Sequence, residues 1–546
     1  MRLPHSAVRA ARPLWYDETH IRSGSAGLTD CAGGPLQCRR PEVEFVRNQV
    51  QLIAYADRLG GDLSGLDRVL REQLSGAFGG VHVLPFFTPF DGADAGFDPI
   101  DHTQVDPRLG TWDDLRELGR DYGTVVDLIV NHVSSASPQF ADVTANGDRS
   151  TYADMFLTFS SVFPGGATEA DLTGIYRPRP GLPFSPVTLD GVRRLMWTTF
   201  TSQQIDIDVQ SRSGREYLTT ILDALAAAGV SMVRLDAVGY AVKKAGTTCF
   251  MIPETFKFIA DLTAGARERD MDVLVEVHSY YQRQIEIGRS VDRVYDFALP
   301  PLVLHALYTG DGSALAQWMR VRPSNAVTVL DTHDGIGVID VGPDQTAADP
   351  AERPGLLSPT EIDALVKGIH RHTDGASRQA TGWAASNLDV YQVNSTYYDA
   401  LGRDDRRYLA ARALQFFTPG IPQVYYVGAL AGSNDLDLLA RTGVGRDINR
   451  HHYTPNEITA ALDRPVVQAL LALCRFRNSF DVFDGTFDFH ADEPHRLRFT
   501  WRAGQGNATR RAELLVDVAT GAASIEWQHG DTVRRTDDLL DDPPTV

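Results

Sequence analysis

The sequence lacks several features that would place it in other classes of protein. It contains no run of about 18 apolar residues, so no transmembrane helix is predicted. It has only four cysteines, too few for a disulfide framework, and we interpret Cys249 and Cys474 as buried thiols of a reducing, cytoplasmic compartment. Basic residues number 52 against 71 acidic ones. The formal net charge of -19 argues against nucleic acid or an anionic membrane surface as a partner.

The first 45 residues also lack the patterning of a folded domain. They mix Arg, Pro, Ser and Gly without a sustained apolar period, and they contain no apolar segment of the kind found in a signal peptide. We predict that residues 1–45 form a disordered leader or are an upstream stretch translated by mistake. On the second interpretation, the native start lies near Val43 or Val46.

From Val50 onward, short apolar runs alternate with helical patterns. Eight such pairs predict an α/β fold, a (β/α)8 TIM barrel. The predicted strands are Val50–Tyr55, Gly80–Phe86, Thr124–Val130, Val230–Asp236, Val273–His278, Arg293–Leu299, Val327–Asp331 and Gln423–Val427.

Two irregular regions interrupt this alternation and are too long to be ordinary loops. We predict that they are inserted domains, and that short alternating strands after residue 482 form a small antiparallel C-terminal β domain. The predicted division is a barrel built from 46–132, 211–334 and 403–482, inserts at 133–210 and 335–402, and a C-terminal domain at 483–546.

Three carboxylates stand at the exits of predicted strands: Asp236, Glu276 and Asp334. In a parallel barrel the chemistry lies at this end of the strands. Two carboxylates about 5 Å apart are typical of a retaining glycosidase, in which one attacks the anomeric carbon and the other protonates the leaving oxygen. A single acid at a strand end is usually a solvated or salt-bridged residue, but three at matching positions favour a site. We expect Asp236, next to Arg234, to be ionised and Glu276 to be protonated at rest.

Four segments resemble the signature regions of the α-amylase superfamily, glycoside hydrolase family 13. They are Asp127–His132 (DLIVNH), Val233–Asp236 (VRLD), Val275–His278 (VEVH) and Asp331–Asp334 (DTHD). Longer blocks resemble the sucrose phosphorylase family within it, and this resemblance extends from about Asn48 to the carboxyl terminus. The blocks are Leu84–Pro99, Ile175–Phe184, Val294–Ala306 and Val424–Gly432.

The resemblance implies a role for each matching residue. It makes Asp236 the nucleophile, Glu276 the general acid/base and Asp334 the transition-state stabiliser, and it implies that Arg234 orients the nucleophile. On the glucose side it implies hydrogen bonds from His132 and His333, a charged clamp of Asp94 and Arg446, and pocket walls of Phe97, Phe200 and Tyr240.

On the acceptor side the resemblance implies that Arg179 binds phosphate. It also implies that Asp389, Tyr391 and Gln392 contact the fructosyl group, the phosphate or the glucose edge. From the residues alone, Arg177–Pro180 fits a solvated turn equally well. Val390 stands where the family pattern leads us to expect Leu, a change that leaves backbone contacts available.

The implied activity is the reversible phosphorolysis of sucrose to α-D-glucose 1-phosphate and fructose, by a double displacement with no metal or organic cofactor. The resemblance also implies a homodimer. Rival activities are phosphorolysis of glucosylglycerol, glucosylglycerate or sucrose 6'-phosphate, and sucrose hydrolysis or transglucosylation. A phosphate-bearing substrate would call for basic residues at 387–399, and there are none. A catalytically inactive binding subunit is the alternative from another class, and the presence of all three carboxylates argues against it.

Overall fold

The computed structural model describes residues 46–545, apart from 93, 178, 180, 348–349, 385–390 and 505–508. The predicted leader and the site residue Asp389 therefore lie outside the described residues. Within the described part, no helix combines the length and the apolar character that crossing a bilayer requires.

Eight parallel strands close into a barrel, which confirms the predicted fold. Each strand pairs with the next one along the chain, and the eighth pairs with the first. The strands are β1 Gln51–Ala54, β2 Gly80–Val83, β3 Gly123–Ile129, β4 Met232–Asp236, β5 Asp272–Val275, β6 Arg293–Asp296, β7 Ala326–Thr328 and β8 Ile421–Tyr425.

Several strands end earlier than the apolar pattern predicts. The prediction ran to Phe86 in β2, to His278 in β5 and to Asp331 in β7, whereas the strands end at Val83, Val275 and Thr328. Many of the residues that follow, such as Leu84, Phe86, Val277, Val329 and Leu330, are buried. An apolar run reports burial rather than ladder hydrogen bonds, so the pattern overshoots where the chain leaves the barrel within the core.

Helices pack around the outside of the barrel. The helix Arg212–Ala227 is typical, because its buried residues recur at helical spacing and form one apolar face. The predicted helix at 66–74 begins at Leu63 and continues beyond Arg68 as a π-helical turn to Gln73. The other longer helices of the barrel are Trp112–Leu118, Pro253–Arg267, Tyr281–Gly288, Leu299–Thr309, Ser313–Val321, Asp405–Phe417, Leu436–Thr442, Pro455–Leu462 and Pro465–Ser479.

The segment between β3 and β4 forms small antiparallel sheets and short helices. His132–Ser134 pairs with Gln204–Asp206, and Phe184–Leu189 pairs with Val192–Trp197. Its helices are Pro138–Asn146, Phe159–Val162 and Glu169–Thr173. A separate apolar cluster lies here, formed by Leu157, Val162, Phe163, Trp197 and Cys249.

The segment between β7 and β8 is built mainly from helices. It contains Pro359–His372, Ala376–Ala384 and Tyr397–Ala400, together with a two-stranded sheet of Ile336–Gly337 and Gln392–Val393. The antiparallel pairing of these two short strands brings the far end of the segment back to the rim of the barrel.

The C-terminal region is a five-stranded antiparallel sheet, as predicted. Its strands are β9 Thr486–Glu493, β10 Arg496–Ala503, β11 Arg510–Asp517, β12 Ala522–His529 and β13 Thr532–Thr536. In β10 the buried Leu497, Phe499 and Trp501 alternate with exposed arginines except at the buried Thr500, which is close to the period-two pattern of a half-buried strand. The Trp501 indole donates a hydrogen bond of 2.8 Å to the Phe417 carbonyl and so joins the sheet to the barrel.

A buried ion pair joins the helix Asp405–Phe417 to the segment that follows β7. Arg412 is fully buried, and its guanidinium lies 2.5 Å from the carboxylate of Asp331. That carboxylate also accepts a hydrogen bond from the Tyr425 amide at 3.2 Å. Gly428 leaves room for the pair, because a Cβ there would lie 1.9 Å from the Asp331 carboxylate.

We expect Gly428→Ala to lower the free energy of unfolding by about 3 kcal/mol, because it would displace one partner of this buried pair. Gly265→Ala is the matched control. That helical glycine has only the far end of the Arg269 side chain near its missing Cβ, so alanine should raise stability by up to about 1 kcal/mol. Thermal unfolding of both variants measures the contrast, and equal melting temperatures would contradict this account of Gly428.

Candidate active site

One guanidinium holds two of the three predicted carboxylates together at the carboxyl end of the barrel. Arg234 lies on β4, two residues before Asp236, so both side chains point to the same side of the strand. Its Nη1 lies 2.9 Å from Asp236 Oδ1, and its Nη2 lies 3.2 Å from Glu276 Oε1. The structure thus brings Asp236 and Glu276 together around a single positive charge.

A chain of buried polar groups fixes Arg234 from below. Asp127 on β3 contacts Arg234 Nη1 at 2.5 Å and His82 Nε2 at 3.0 Å. Burial alone would raise the pKa of Asp127, but Arg234 and His82 outweigh it and lower the pKa to about 2. The Tyr295 hydroxyl lies near the other ring nitrogen of His82 and donates to Gln423 at 2.9 Å. Sequence reasoning missed His82, Tyr295 and Gln423 as supports, because their strands are far apart along the chain.

The backbone after Asp236 also contacts Glu276. Ala237 has a left-handed conformation with φ of 54°, unusual for a residue with a Cβ, and its N–H donates to Glu276 Oε2 at 3.2 Å. The expectation that Asp236 is simply ionised needs correction. Burial raises its pKa well above the usual range, and Glu276 adds to this effect while Arg234 opposes it.

Asp334 stands on the opposite side of the pocket, beyond β7. Arg446 Nη1 lies 2.9 Å from Asp334 Oδ1 and 3.7 Å from Asp94 Oδ1. Arg446 therefore contacts Asp334 more closely than it contacts Asp94, the partner predicted for it in the charged clamp. Burial acts to raise the pKa of Asp334. Arg446, His333 and Arg450 reverse this effect and hold the pKa far below its usual range.

Aromatic rings form the walls between these charged groups. Phe97 stacks on His333 with ring centroids 4.6 Å apart, and Phe200 contacts both His132 and Tyr240 edge-on at 5.4 and 5.3 Å. Burial lowers the pKa of His132, so its ring is neutral near pH 7 and has one N–H. That N–H, on Nε2, donates to the Phe97 carbonyl at 2.9 Å. His132 thereby holds the backbone of the Phe97 wall.

Arg179, in the segment between β3 and β4, carries an unpaired group. The Nε of Arg179 is buried and has no hydrogen-bond partner among the described residues. Burial and the neighbouring Arg446 lower the pKa of Arg179. A buried guanidinium with a free N–H is suited to binding an anion such as phosphate.

Tyr391 and Gln392 reach the pocket next to His278, a residue to which sequence reasoning gave no role. The Tyr391 ring meets the His278 ring edge-on at 5.6 Å, and Gln392 Nε2 lies 3.4 Å from His278 Nε2. His278 follows Glu276 by two residues in the VEVH motif. The alternation of side chains along an extended segment could have placed it beside the predicted acid.

Lys243 was missed as well. Its buried ammonium lies 2.8 Å from Asp206 Oδ2 and 2.7 Å from Asn131 Oδ1, and it contacts the Tyr240 carbonyl. The lysine thus joins the turn after β4 to the end of β3 and to the strand Gln204–Asp206. This network holds Tyr240 at the edge of the pocket.

Four of the predicted residues line a small pocket together with His278. They are Arg234, Glu276, His333 and Asp334, and the space between the lining residues, which is open to solvent, has a volume of about 240 Å³. Glu276, His278 and Asp334 also present ligand-type atoms within 4.8 Å of one another. Because Arg234 and Arg446 already balance the two carboxylates, we interpret the three as hydrogen-bonding groups of the pocket rather than as metal ligands.

Comparison with known proteins identifies the architecture. Family models match residues 44–287 as the alpha amylase catalytic domain and residues 482–544 as the sucrose phosphorylase C-terminal domain. The chain is 58% identical to the sucrose phosphorylase of Bifidobacterium adolescentis, covering 92% of this chain and 100% of that one. It is 59% identical to the sucrose phosphorylase of Agrobacterium vitis, covering 88% of this chain and 97% of that one.

The chain belongs to the sucrose phosphorylase family of the α-amylase superfamily. A solved structure agrees with this assignment. The crystal structure of sucrose 6F-phosphate phosphorylase from Thermoanaerobacter thermosaccharolyticum matches with a TM-score of 0.81 and 37% identity, over 90% of this chain and 98% of that one. The family predicted from the sequence motifs is thus confirmed.

This member of the sucrose phosphorylase family should lose stability in acid because it buries histidines. Burial lowers the pKa of both His333 and His102 from the ordinary 6.5 to about 3. In His333 it outweighs Asp334, which acts to raise the pKa. Below about pH 6.5 the unfolded chain therefore binds protons that the folded protein does not. The free energy of unfolding falls as pH decreases towards 3, although the raised pKa of Asp236 acts in the opposite sense.

We expect each of the two histidines to contribute a loss of about 2 kcal/mol between about pH 7.5 and pH 5. His102→Gln, away from the catalytic carboxylates, should make the melting temperature less dependent on pH. His490→Gln in the exposed part of β9 is the matched control and should leave the dependence unchanged. An unchanged dependence in the His102 variant would contradict this assignment.

Proposed function

We propose that the protein catalyses the reversible phosphorolysis of sucrose to α-D-glucose 1-phosphate and D-fructose. The observation that carries the proposal is the Arg234 bridge, which holds Asp236 and Glu276 on one side of a small pocket. Two adjacent carboxylates at a pocket are the arrangement that retaining glycoside chemistry requires. The 58–59% identity to two sucrose phosphorylases supports the choice of substrate.

In the first step Asp236 attacks the anomeric carbon of the glucosyl group and expels fructose. Glu276 gives its proton to the leaving oxygen, so that a covalent glucosyl-enzyme and neutral fructose result. Arg234 and the Ala237 amide, which contact the two oxygens of Glu276, keep this acid directed at the bond that breaks. Burial raises the pKa of Asp236, whereas the attack requires its charged form, which the Arg234 guanidinium at 2.9 Å favours.

In the second step phosphate attacks the same carbon from the side that fructose has left. Glu276 removes the proton from phosphate, the bond to Asp236 breaks, and two inversions give net retention. Water could attack in the same place, so the protein must favour the anion. Arg179, with its buried free N–H, supplies the positive charge that distinguishes phosphate from water.

The remaining residues bind the sugar. Asp334 stabilises the oxocarbenium-like charge, and its depressed pKa keeps it ionised for this role. Asp94 and Arg446 bind glucose hydroxyls at the closed end, with His132 and His333 beside the walls of Phe97, Phe200 and Tyr240. On the acceptor side, Asp389, Tyr391 and Gln392 contact the fructosyl group or phosphate.

The two segments between barrel strands act as inserted domains that complete the acceptor side. The segment at 133–210 carries Arg179 and Phe200, and the segment at 335–402 carries Tyr391 and Gln392.

We place the enzyme in the cytoplasm, where a reducing environment suits its buried free cysteines Cys249 and Cys474. We also propose a homodimer, which would cover exposed apolar residues such as Leu182, Val192 and Leu195.

The direct test is to incubate the purified protein with sucrose, with and without inorganic phosphate, and to measure glucose 1-phosphate and free glucose. We expect glucose 1-phosphate only when phosphate is present. Asp236→Asn should reduce its formation by about four orders of magnitude, because the covalent intermediate cannot form. Free glucose at the same rate without phosphate would identify a hydrolase, and no turnover of sucrose would direct the search to other glucosides.

A second prediction concerns the choice between phosphate and water. Arg179→Gln should raise the KM for phosphate about 10- to 100-fold, because it removes a charge-assisted hydrogen bond, and the fraction of free glucose should rise with it. Arg193→Gln, which changes an exposed arginine of the neighbouring hairpin, is the matched control. Equal KM values for phosphate in the two variants would contradict the role of Arg179.

A further inference from the structure

A second carboxylate–histidine pair lies directly behind the general acid/base. His278 Nδ1 is 3.0 Å from Asp340 Oδ2, and the imidazole stacks on the Phe297 ring with centroids 3.8 Å apart. These two contacts fix both the position and the plane of the ring. The other ring nitrogen, Nε2, consequently faces the pocket, 3.8 Å from Glu276 Oε1 and 3.4 Å from Gln392 Nε2.

Asp340 is held rigidly for this contact. It is fully buried, and its Oδ1 accepts hydrogen bonds from the Ser279 amide at 3.0 Å and from Gln284 Nε2 at 3.2 Å. Gly337 makes room for the pair, since a Cβ there would lie 2.6 Å from Asp340 Oδ2 and 3.3 Å from His278 Nδ1. The pair thus occupies a space in which another side chain would not fit.

His278 is also the counter-charge of Asp340. Across the residues that the structure describes, the ion pairs of Asp340 involve no lysine or arginine, and His278 is its one basic partner. A buried carboxylate without a partner is costly, so Asp340 favours a proton on His278. Since Nδ1 gives its hydrogen to Asp340, a second proton on the ring must lie on Nε2 and point into the pocket. Gln392 must then turn its carboxamide so that the oxygen faces this N–H in place of the nitrogen 3.4 Å away, because an amide nitrogen donates and does not accept.

We infer that Asp340 is a positioning residue for the phosphate step. It holds His278 so that the Nε2–H of the ring donates to phosphate beside Glu276. The inference rests on the proposed function, because it assumes that phosphate is the acceptor. Fructose is neutral, whereas phosphate carries one to two negative charges near pH 7. A cationic His278 therefore favours the entry of phosphate more than the departure of fructose.

The groups that face His278 support its protonation. Burial acts to lower the pKa of His278, but Asp340, Glu276 and Asp334 together raise it. Tyr391, the other titratable group packed against the ring, has its own pKa raised well above 10 by burial and is neutral near pH 7. Asp340, Glu276 and Asp334 thus all favour a positive charge on His278.

The test variant is Asp340→Asn, which keeps the shape of the side chain but removes its charge. The amide would donate to Nδ1, so the ring would become neutral while Nε2–H remained. We expect the KM for phosphate to rise about 10-fold and the KM for sucrose to change less than about 2-fold. The NMR titration of His278, assigned by its loss in His278→Gln, should move to lower pH in the Asp340 variant.

Two controls separate positioning from general stability. Asp344→Asn removes another buried carboxylate of the same segment, paired with Arg353 at 2.7 Å, and should lower the melting temperature without changing the KM for phosphate. In the His278→Gln background, Asp340→Asn should have no further effect on that KM, because the residue acts through His278.

Several outcomes would overturn the inference. The first is a KM for phosphate in Asp340→Asn equal to that of the unchanged protein. The second is a rise of that KM in Asp344→Asn as large as the rise in Asp340→Asn. The third is that the effects of Asp340→Asn and His278→Gln on the KM add in the double variant. If Asp340→Asn does not fold, the NMR titration of His278 in the unchanged protein still tests the inference. A titration midpoint below about pH 6.5 would refute the cationic ring. Failure of the proposed function is distinguished by the absence of phosphate-dependent glucose 1-phosphate in the unchanged protein.

Discussion

The Arg234 guanidinium is the interaction on which the active site depends. It is buried at the carboxyl end of β4 and contacts Asp127, Asp236 and Glu276 within 3.2 Å. Three buried acids without this charge would repel one another and would each face a large desolvation cost. The arginine stabilises two neighbouring carboxylates at one pocket, as the proposed nucleophile and acid/base require.

The same logic is repeated around the pocket with different partners. Arg446 and Arg450 compensate Asp334 and Asp94, Lys243 compensates Asp206, and His278 compensates Asp340. In each case the carboxylate is paired with a cationic side chain on the side that faces the protein interior. The side that faces the pocket stays available for the sugar or for phosphate. The proposed phosphate site depends on such local pairing, because the protein as a whole carries an excess of acidic residues.

The division of labour between the barrel and its long segments follows from this. Arg234 and Asp236 lie on β4, and Glu276 and Asp334 follow the ends of β5 and β7, so the barrel fixes their positions for the two-step reaction that we propose. The segments between β3 and β4 and between β7 and β8 carry Arg179, Phe200, Tyr391 and Gln392, which we propose meet the fructosyl group or phosphate. Residues that accept two different partners are suited to loops and inserts, which tolerate variation better than strands.

By itself, the sequence determined the barrel, the C-terminal sheet and the three carboxylates. It did so because burial leaves a periodic apolar signal, and because the acids lie where that signal ends. Strand ends at Val275 and Thr328 could not be read, since the buried chain continues beyond the last ladder hydrogen bond. Only the tertiary structure brought His82, Lys243 and Asp340 to the site, and only it revealed that burial raises the pKa of Asp236. Those properties depend on distances and on burial between residues far apart in the chain, and local sequence patterns carry no information about either.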